Sequence, residues 1–358
     1  MLRVRDVVRE LPMYHPPLGN REGLRLDFNE NAIGCSPEVL RCMRHLTSEQ
    51  LSRYPERGPI ESISSSYIGI EPKELLLTNG TDEAIHLLCE AHLEPGNEAL
   101  IVVPTFSMYT IYARATGARV IVVPAGKNFS FPTADLLSKI TWRTRLIAVA
   151  NPNNPTGTLA SQDDLLQIAR MAPDAAVLID EAYFEFCGQT LIGKWHEIPN
   201  LFISRTFSKA YGLAGLRIGA LAGDVAQIEM VRRVSSPYNV NGVALACLPG
   251  ALADVNYVGD YVKEVCQGRE LLQDELRDLE VPYWPSSANF VLARFGSGKL
   301  EVLRAMRDRG ILLRDRSRDF GCDGCVRITI GTLEQTKGFI VALREVLTEI
   351  GIKEPSML

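Results

Sequence analysis

The sequence predicts an α/β protein with a mostly parallel central sheet, helices on both faces of that sheet, and a smaller α+β domain. Seven short runs rich in Val, Ile and Leu recur in the first two thirds of the chain. They show little polar alternation, which is typical of strands covered on both faces. Amphipathic stretches lie between several of the runs, and strand–helix–strand alternation favours a parallel sheet.

The predicted strands are Glu74–Gly80, Ala99–Pro104, Arg119–Pro124, Leu146–Asn151, Ala176–Asp180, Leu201–Arg205 and Leu216–Ala222. The predicted helices between them are Asp82–His92, Ser107–Thr116, Thr133–Lys139 and Ser161–Met171.

The pattern changes after about residue 240. The elements predicted there are a helix at Tyr257–Leu279, a strand at Asn289–Arg294, a helix at Lys299–Arg309, a strand at Val326–Ile330 and a helix at Leu333–Ile350 that Thr332 caps. We therefore expect an N-terminal arm that completes the small domain (1–45), a large ligand-binding domain (46–240) and a small C-terminal domain (241–358).

Composition excludes several classes of function. The chain has 358 residues, 46% of them apolar, so a large core can be buried. The net charge of −5, with no basic stripe, argues against a nucleic-acid partner. No run reaches the roughly 20 apolar residues of a membrane span, and the first ten residues do not resemble a signal peptide. The sequence predicts a cytoplasmic protein.

Eight cysteines are present, and only Cys322 and Cys325 form a CxxC. A redox pair or half of a zinc site is one interpretation. No second CxxC or HxxxH accompanies the pair, and it lies in a Gly/Asp turn before a strand. A structural turn in a metal-free protein is therefore favoured.

Lys209 directly follows a predicted strand and precedes a glycine-rich turn. Burial at such a position lowers the pKa of a lysine and leaves a nucleophilic amine. Thr206, Ser208 and Arg217 flank it, and hydroxyl groups with a guanidinium can bind a phosphate. A surface lysine is the ordinary alternative, but this set of neighbours favours a site.

Asp180 ends another buried strand, where a carboxylate is costly unless it is paired. A protonated pyridine nitrogen is a suitable partner, and Tyr183 can donate to an oxygen on the same ring. The alternative is an aspartate that caps a turn and a tyrosine that packs in the core.

Three further motifs add polar and aromatic groups. The segment NPNNPTG fixes a loop between prolines and directs the amide of Asn154. Gly80 permits close approach of the backbone to a ligand, and the amides of Thr81 and Asp82 open a helix that suits an anion. Phe106 can stack on a planar ring, although an aromatic residue at a strand end is more often core.

These groups lie mainly at the carboxyl ends of predicted parallel strands, where open α/β sheets bind ligands. The glycines after Lys209 do not match GxGxxG, so a nicotinamide cofactor has no support.

Together the motifs resemble those of fold-type-I pyridoxal-phosphate aminotransferases, and among them the histidinol-phosphate aminotransferase family. The resemblance covers nearly the whole chain. The segments that carry it are Leu11–Gly19, Asn29-Glu30-Asn31, Arg53-Tyr54-Pro55, PTFSMY, NPNNPTG, DEAYFEF, RTFSKAYGLAGLRIG, Leu313-Arg314-Asp315 and Val326–Thr332.

The resemblance implies that pyridoxal 5'-phosphate is carried as a Schiff base on Lys209, with Asp180 at the pyridine nitrogen and Tyr183 and Asn154 at the ring oxygen. Lys209, Asp180 and Tyr183 are the implied catalytic residues. The other implied cofactor contacts are Gly80, Thr81, Asp82, Phe106, Thr206, Ser208, Arg217 and, from the partner subunit of a homodimer, Tyr54. The implied substrate-binding residues are Tyr14, Asn31, Arg314 and Arg327.

The implied activity is transamination of L-histidinol phosphate with 2-oxoglutarate, giving imidazole acetol phosphate and L-glutamate in histidine biosynthesis. An aromatic-amino-acid aminotransferase and a threonine-phosphate decarboxylase are the alternatives among enzymes, and a ligand sensor is the alternative outside them. The chain has Ala32-Ile33-Gly34 where the family usually has Pro-Tyr-Gly, and Thr206 where the wider superfamily more often has serine. The first departure, near the substrate mouth, leaves the amino donor open.

Overall fold

The computed structural model describes residues 2–13, 19 and 22–351. The helices are α1 (Asp6–Arg9), α2 (Pro37–Arg44), α3 (Ser48–Ser52), α4 (Gly58–Ile68), α5 (Gly80–His92), α6 (Met108–Ala115), α7 (Thr133–Ser138), α8 (Gln162–Met171), α9 (Val225–Val234), α10 (Gly242–Ala253), α11 (Val255–Asp278), α12 (Lys299–Asp308) and α13 (Leu333–Glu349).

The strands are β1 (Leu24–Arg25), β2 (Leu75–Thr78), β3 (Glu98–Val103), β4 (Arg119–Pro124), β5 (Thr144–Ala150), β6 (Ala176–Asp180), β7 (Leu201–Thr206), β8 (Gly219–Gly223), β9 (Tyr283–Trp284), β10 (Phe290–Arg294), β11 (Ile311–Leu312), β12 (Arg314–Asp315) and β13 (Cys325–Thr329).

A seven-stranded sheet forms the centre of the molecule, in the order β2-β8-β7-β6-β5-β3-β4. The pairs β3–β4, β3–β5, β5–β6 and β6–β7 are parallel, whereas β8 runs antiparallel to both β2 and β7. Separate hydrophobic clusters cover its two faces: Leu77 and Ile179 belong to one, Leu76 and Leu178 to the other. The predicted α/β class with a mostly parallel sheet is confirmed.

Two predicted strands differ from the structure. Arg119–Pro124 was expected to be covered on both faces, but β4 is the edge strand of the sheet and only Val123 in it is buried. Val122 there is 41% exposed, so an apolar run does not by itself make a central strand. The strand expected from Leu216 begins instead at Gly219, because residues before it form a turn with Arg217 in the left-handed region, at φ 53°.

The second sheet is antiparallel, in the order β12-β13-β10-β9, and β1 pairs separately with β11. The helix α13 packs against α11 and α12, and Thr332 caps α13 by accepting a hydrogen bond from the backbone N–H of Gln335. The N-terminal segment joins this sheet, since the N–H of Thr329 donates to the carbonyl of Leu26. The boundaries at residues 45/46 and 240/241 stay a prediction.

Within the described ranges, no single helix has the length and apolar character needed to cross a bilayer. Among the same residues, α10 and α11 taken together meet that criterion, and a bend of 76° separates them.

Candidate active site

The last residues of three parallel strands open onto one cavity of about 280 Å³: Ala150 of β5, Asp180 of β6 and Thr206 of β7. The cavity is lined by Phe28, Asn29, Glu30, Thr81, Asp82, Phe106, Tyr109, Ala150, Pro152, Asn154, Asp180, Ala182, Tyr183, Thr206, Ser208, Lys209, Ala214, Arg217, Arg314, Arg316 and Arg327. Most of the predicted site residues therefore meet, as expected for groups at the carboxyl ends of parallel strands.

Lys209 enters the cavity from the turn that follows β7. Its Nζ donates to the carbonyl oxygen of Phe28 at 3.1 Å. Burial lowers the pKa of Lys209 to about 8, and the positive charge of Arg327 adds to that effect. Because the ordinary value is 10.5, an appreciable share of this amine is neutral near physiological pH, as a nucleophile or general base requires.

Asp180 lies at the base of the cavity with both carboxylate oxygens occupied. The hydroxyl of Tyr109 donates to Oδ2 at 2.5 Å, and the hydroxyl of Ser204 donates to Oδ1 at 2.8 Å. Burial raises the pKa of Asp180, and these two hydrogen bonds oppose the rise by stabilising the ionised form. Tyr109 belongs to the PTFSMY motif, but its role was not predicted from the sequence, because the contact joins residues far apart in the chain.

Two amides hold the hydroxyl of Tyr183. Nδ2 of Asn29 donates to its oxygen at 2.9 Å, and Nδ2 of Asn154 donates at 3.3 Å. Since the oxygen accepts both bonds, the phenolic proton can be directed to an acceptor in the cavity. Burial raises the pKa of Tyr183, so the hydroxyl keeps that proton at neutral pH.

A group of donors suited to an anion lies where α5 begins. Gly80 has φ 74°, and a Cβ there would be 2.6 Å from Nη2 of Arg217. That nitrogen also donates to Oδ2 of Asp82 at 3.0 Å. The hydroxyls of Thr206 and Ser208 line the same cavity. Gly80 does not line it directly, but the lack of a side chain there leaves room for the guanidinium.

The arginines lie where the second sheet meets the cavity. Arg327 donates from Nη1 to Oδ1 of Asn154 at 2.6 Å and from Nη2 to the carbonyl of Asp27 at 2.8 Å. Arg314 is the antiparallel partner of Arg327 in the β12–β13 pair, and its guanidinium lies 5.1 Å from the ring centre of Phe28. Both were predicted as anion-binding residues from the family resemblance.

The remaining predicted residues have different positions. Phe106 lines the cavity, with its ring edge-on to Tyr109. Asn31 lines a neighbouring cavity; its Nδ2 donates to the carbonyl of Ala210 at 3.0 Å. Tyr54 is 78% exposed and stacks on Tyr238. Tyr14 lies outside the described residues.

Several members of the site were not predicted from the sequence. Asn29 and Glu30 belong to a motif that carries the family resemblance but had no predicted role, and Arg316 was not predicted to be a site residue. Arg316 carries a signal in its spacing, since it lies two residues after Arg314 and so projects from the same face of an extended strand.

The CxxC pair does not line this cavity. Cys322 and Cys325 are buried free thiols that pack with Leu292. Among residues 2–13, 19 and 22–351, no group of three or more His, Cys, Asp or Glu side chains is arranged to hold a metal.

The chemistry of the donor set specifies the kind of ligand that fits. Hydroxyls, a guanidinium and a helix N-terminus suit a phosphate. The buried carboxylate of Asp180 suits a cationic ring nitrogen, and the low-pKa amine of Lys209 suits an aldehyde carbon. The fold and the site together define an α/β enzyme that binds a phosphorylated heteroaromatic aldehyde.

The chain belongs to the family of class I and II aminotransferases, which its residues 21–343 match. Histidinol-phosphate aminotransferase of Moorella thermoacetica is 35% identical over 338 residues, which are 92% of this chain and 87% of that protein.

Solved structures share the fold. Histidinol-phosphate aminotransferase of Sinorhizobium meliloti, determined with pyridoxal 5'-phosphate, superposes with a TM-score of 0.88 at 22% identity and covers 98% of this chain and 99% of its own. L-threonine-O-3-phosphate decarboxylase of Porphyromonas gingivalis superposes with a TM-score of 0.79 at 23% identity, over 91% and 99% of the two chains. The same scaffold therefore carries more than one reaction, and fold alone does not select the substrate.

Proposed function

We propose that the protein is a pyridoxal-phosphate-dependent aminotransferase that transfers the amino group of L-histidinol phosphate to 2-oxoglutarate, in histidine biosynthesis. The observation that carries the proposal is one cavity with a low-pKa lysine and a group of arginines. Lys209 supplies a base, while Arg314 and Arg327 supply a binding site for an anion. The relative from Moorella thermoacetica supports the choice of donor.

The residues present fit the cofactor. Thr81, Asp82, Thr206, Ser208 and Arg217 would hold its phosphate. When bound, the cofactor supplies an electron-withdrawing ring that delocalises the charge left on the substrate α-carbon.

Three other residues would hold the cofactor ring: Asp180 at its nitrogen, and Tyr183 and Asn154 at its oxygen. Phe106 would stack on its face. The hydroxyls of Tyr109 and Ser204 stabilise the ionised form of Asp180 and orient its carboxylate, which would favour a positive charge on the ring nitrogen.

Lys209 carries the proton in the reaction. Its neutral amine would take the proton from the α-carbon of the donor, and the resulting ammonium would hold that proton in the cavity until it is released in the second step. A pKa of about 8 serves both steps, because the amine can accept and release a proton at physiological pH.

Arg314 and Arg327 suit both substrates. Histidinol phosphate has a phosphate and no carboxylate, whereas 2-oxoglutarate has two carboxylates. A guanidinium can form paired hydrogen bonds with either anion, so the same arginines can serve both half-reactions. Tyr14 and Asn31 are proposed as further substrate-binding residues on the family resemblance.

The test is amino transfer to 2-oxoglutarate from a panel of donors: L-histidinol phosphate, phenylalanine, tyrosine and threonine phosphate. We expect histidinol phosphate to have the highest kcat/KM. A preference for the two aromatic amino acids would instead assign an aromatic aminotransferase. Release of carbon dioxide from threonine phosphate would assign a decarboxylase.

We also propose a homodimer in which Tyr54 of each subunit reaches the cofactor phosphate of the other. Its hydroxyl is on an exposed side chain, and Leu51 nearby is also exposed. A C2 dimer would complete two such sites at once. A reducing, cytoplasmic location accords with the eight free thiols.

Mixed dimers test the position of Tyr54. One subunit carries Tyr54→Phe and the other carries Lys209→Ala, so the only lysine-bearing site takes its tyrosine from the intact partner. That site should retain cofactor normally. Leakage equal to that of the Tyr54→Phe homodimer would contradict a contribution in trans.

A further inference from the structure

The strand register brings a third arginine to the predicted anion site. Arg314 pairs with Arg327 across the β12–β13 ladder, and the backbone N–H of Arg316 continues the ladder by donating to the carbonyl of Cys325 at 3.0 Å. Cross-strand partners and residues two apart project from one face of a sheet. Arg314, Arg316 and Arg327 accordingly line the same cavity, whereas the intervening Asp315 is exposed and pairs with Lys299 at 3.0 Å.

Arg316 forms an ion pair with the carboxylate of Asp319. Its Nε lies 2.5 Å from Oδ2 of Asp319, and the two side chains are only 15% and 28% exposed. Apart from this ion pair, neither atom has a hydrogen-bond partner among the described residues. The backbone N–H of Asp319 donates to the carbonyl of Arg316 at 2.9 Å, so a tight turn holds the two residues together.

All three arginines act on the carboxylate of Asp319. Burial raises its pKa, and the positive charges of Arg316, Arg327 and Arg314 oppose that rise. Three guanidinium groups and one ionised carboxylate carry a net charge of +2. This matches a phosphate dianion, whereas a single carboxylate carries −1.

The number of oxygens on the ligand also favours a phosphate over a carboxylate. One guanidinium can satisfy both oxygens of a carboxylate through paired hydrogen bonds. A phosphate monoester has three terminal oxygens and a second charge, so it needs donors beyond such a pair. Arg316 is the further donor on the same sheet face.

We propose that Arg316, held in place by Asp319, is a specificity-determining residue that contacts the phosphate of the amino donor and contributes little to binding of the carboxylate acceptor. Arg316 is the contacting residue and Asp319 is a positioning residue that acts through it. The inference rests on the proposed function for its donor, L-histidinol phosphate.

The experiment separates the two half-reactions. Cofactor-loaded protein is mixed with L-histidinol phosphate alone or, in the amine form, with 2-oxoglutarate alone, and single turnovers are followed by absorbance. A hydrogen bond to a charged group contributes about 1.5–3 kcal/mol, so Arg316→Gln should lower the donor kcat/KM by roughly tenfold to hundredfold. The acceptor half-reaction should change by less than about threefold, that is, by less than a single ordinary hydrogen bond contributes.

Arg318→Gln is the matched control. Arg318 is exposed and lies two residues from Arg316, so this substitution removes the same charge outside the cavity. Both of its half-reactions should stay close to wild type. Arg316→Lys guards against misfolding of the glutamine variant: it keeps the charge but lacks the planar fork, so its loss with the donor should be intermediate. An equal loss in both half-reactions for either Arg316 variant would overturn the proposal.

Asp319→Asn tests the positioning role. It should lower kcat/KM for the donor in the wild-type background and have almost no further effect when added to Arg316→Gln. A purely structural role would give additive losses in both half-reactions.

Titration calorimetry with inorganic phosphate, on the cofactor-loaded protein, separates this inference from the proposed function. Phosphate should bind the wild type at least about tenfold more tightly than it binds Arg316→Gln, because one hydrogen bond to a charged group is lost in the variant. If the wild type prefers aromatic donors but shows this difference, the donor assignment fails and the Arg316 assignment holds. Equal binding to both proteins, or none to the wild type, would overturn the Arg316 assignment whatever the donor.

Discussion

Replacing Arg327 with glutamine should raise the pH at which Lys209 becomes a nucleophile. Burial and the charge of Arg327, in that order, lower the pKa of Lys209 from 10.5 to about 8. At pH 8 about half of such an amine is neutral, against roughly 0.3% of an ordinary lysine, so Lys209 presents on the order of a hundredfold more reactive amine. Arg327→Gln removes the second cause and leaves the first, so the pKa should rise but stay below 10.5.

The assay is the rate at which cofactor-free protein captures pyridoxal 5'-phosphate, followed by absorbance between about pH 6 and 10, a range that brackets the expected inflection. The rate should rise with pH and level off near pH 8 in the wild type, and at a higher pH in Arg327→Gln. Arg318→Gln is the control, because it removes the charge of an exposed arginine that does not line the cavity. The reasoning would be refuted if the capture rate of the wild type levelled off only near pH 10, or if Arg327→Gln and Arg318→Gln levelled off at the same pH.

Three further outcomes are expected. In the cofactor-free protein, Lys209→Met should raise Tm at pH 7, because it removes a buried ammonium. The gain in Tm should shrink between about pH 8, where folded Lys209 loses its proton, and 10.5, where unfolded Lys209 also loses it. A gain in Tm that does not change with pH would contradict this explanation. Tyr109→Phe should raise the pKa of Asp180 further, because it removes a hydrogen bond that stabilises the ionised carboxylate. The acidic limb of the pH profile of kcat/KM should then move to higher pH. If that limb does not move, the Tyr109 hydroxyl has no electrostatic role. Gly80→Ala should weaken cofactor binding by about tenfold or more at equilibrium dialysis, since it crowds the neighbouring guanidinium. Gly69→Ala controls for backbone strain, with φ 86° and open space around it, and an equal loss there would remove the steric explanation.

The sequence predicted the strands of the central sheet and its mostly parallel character well, because buried parallel strands leave a strong local signal. The exception, Arg119–Pro124, shows the limit of that signal. Its residues are apolar enough for a central strand, but its place at the edge depends on which strands pair, which is a tertiary property. The start of β8 was misplaced for a local reason, since Arg217 adopts a left-handed conformation that few non-glycine residues accept.

Site residues that directly follow strands were predictable, since the sheet edge brings them together. Residues that act through a distant partner were not. Tyr109 lies 71 positions from Asp180, and nothing near either residue indicates the hydrogen bond between them. The spacing of Arg314 and Arg316 is visible in the sequence, but the cavity that they share with Arg327 becomes apparent only from the register of β12 and β13.

Because of the segment 27–29, the site is expected to form late in folding. The contacts of this segment reach Lys209, Tyr183 and Arg327 across 181, 154 and 300 residues of chain, so they close very long loops. Such non-local contacts are late events in folding. During synthesis this segment leaves the ribosome 300 residues before Arg327 and cannot make that contact until Arg327 has followed it. A nascent chain that stops before Arg327 therefore holds Lys209 without its cationic neighbour, and its cavity is incomplete.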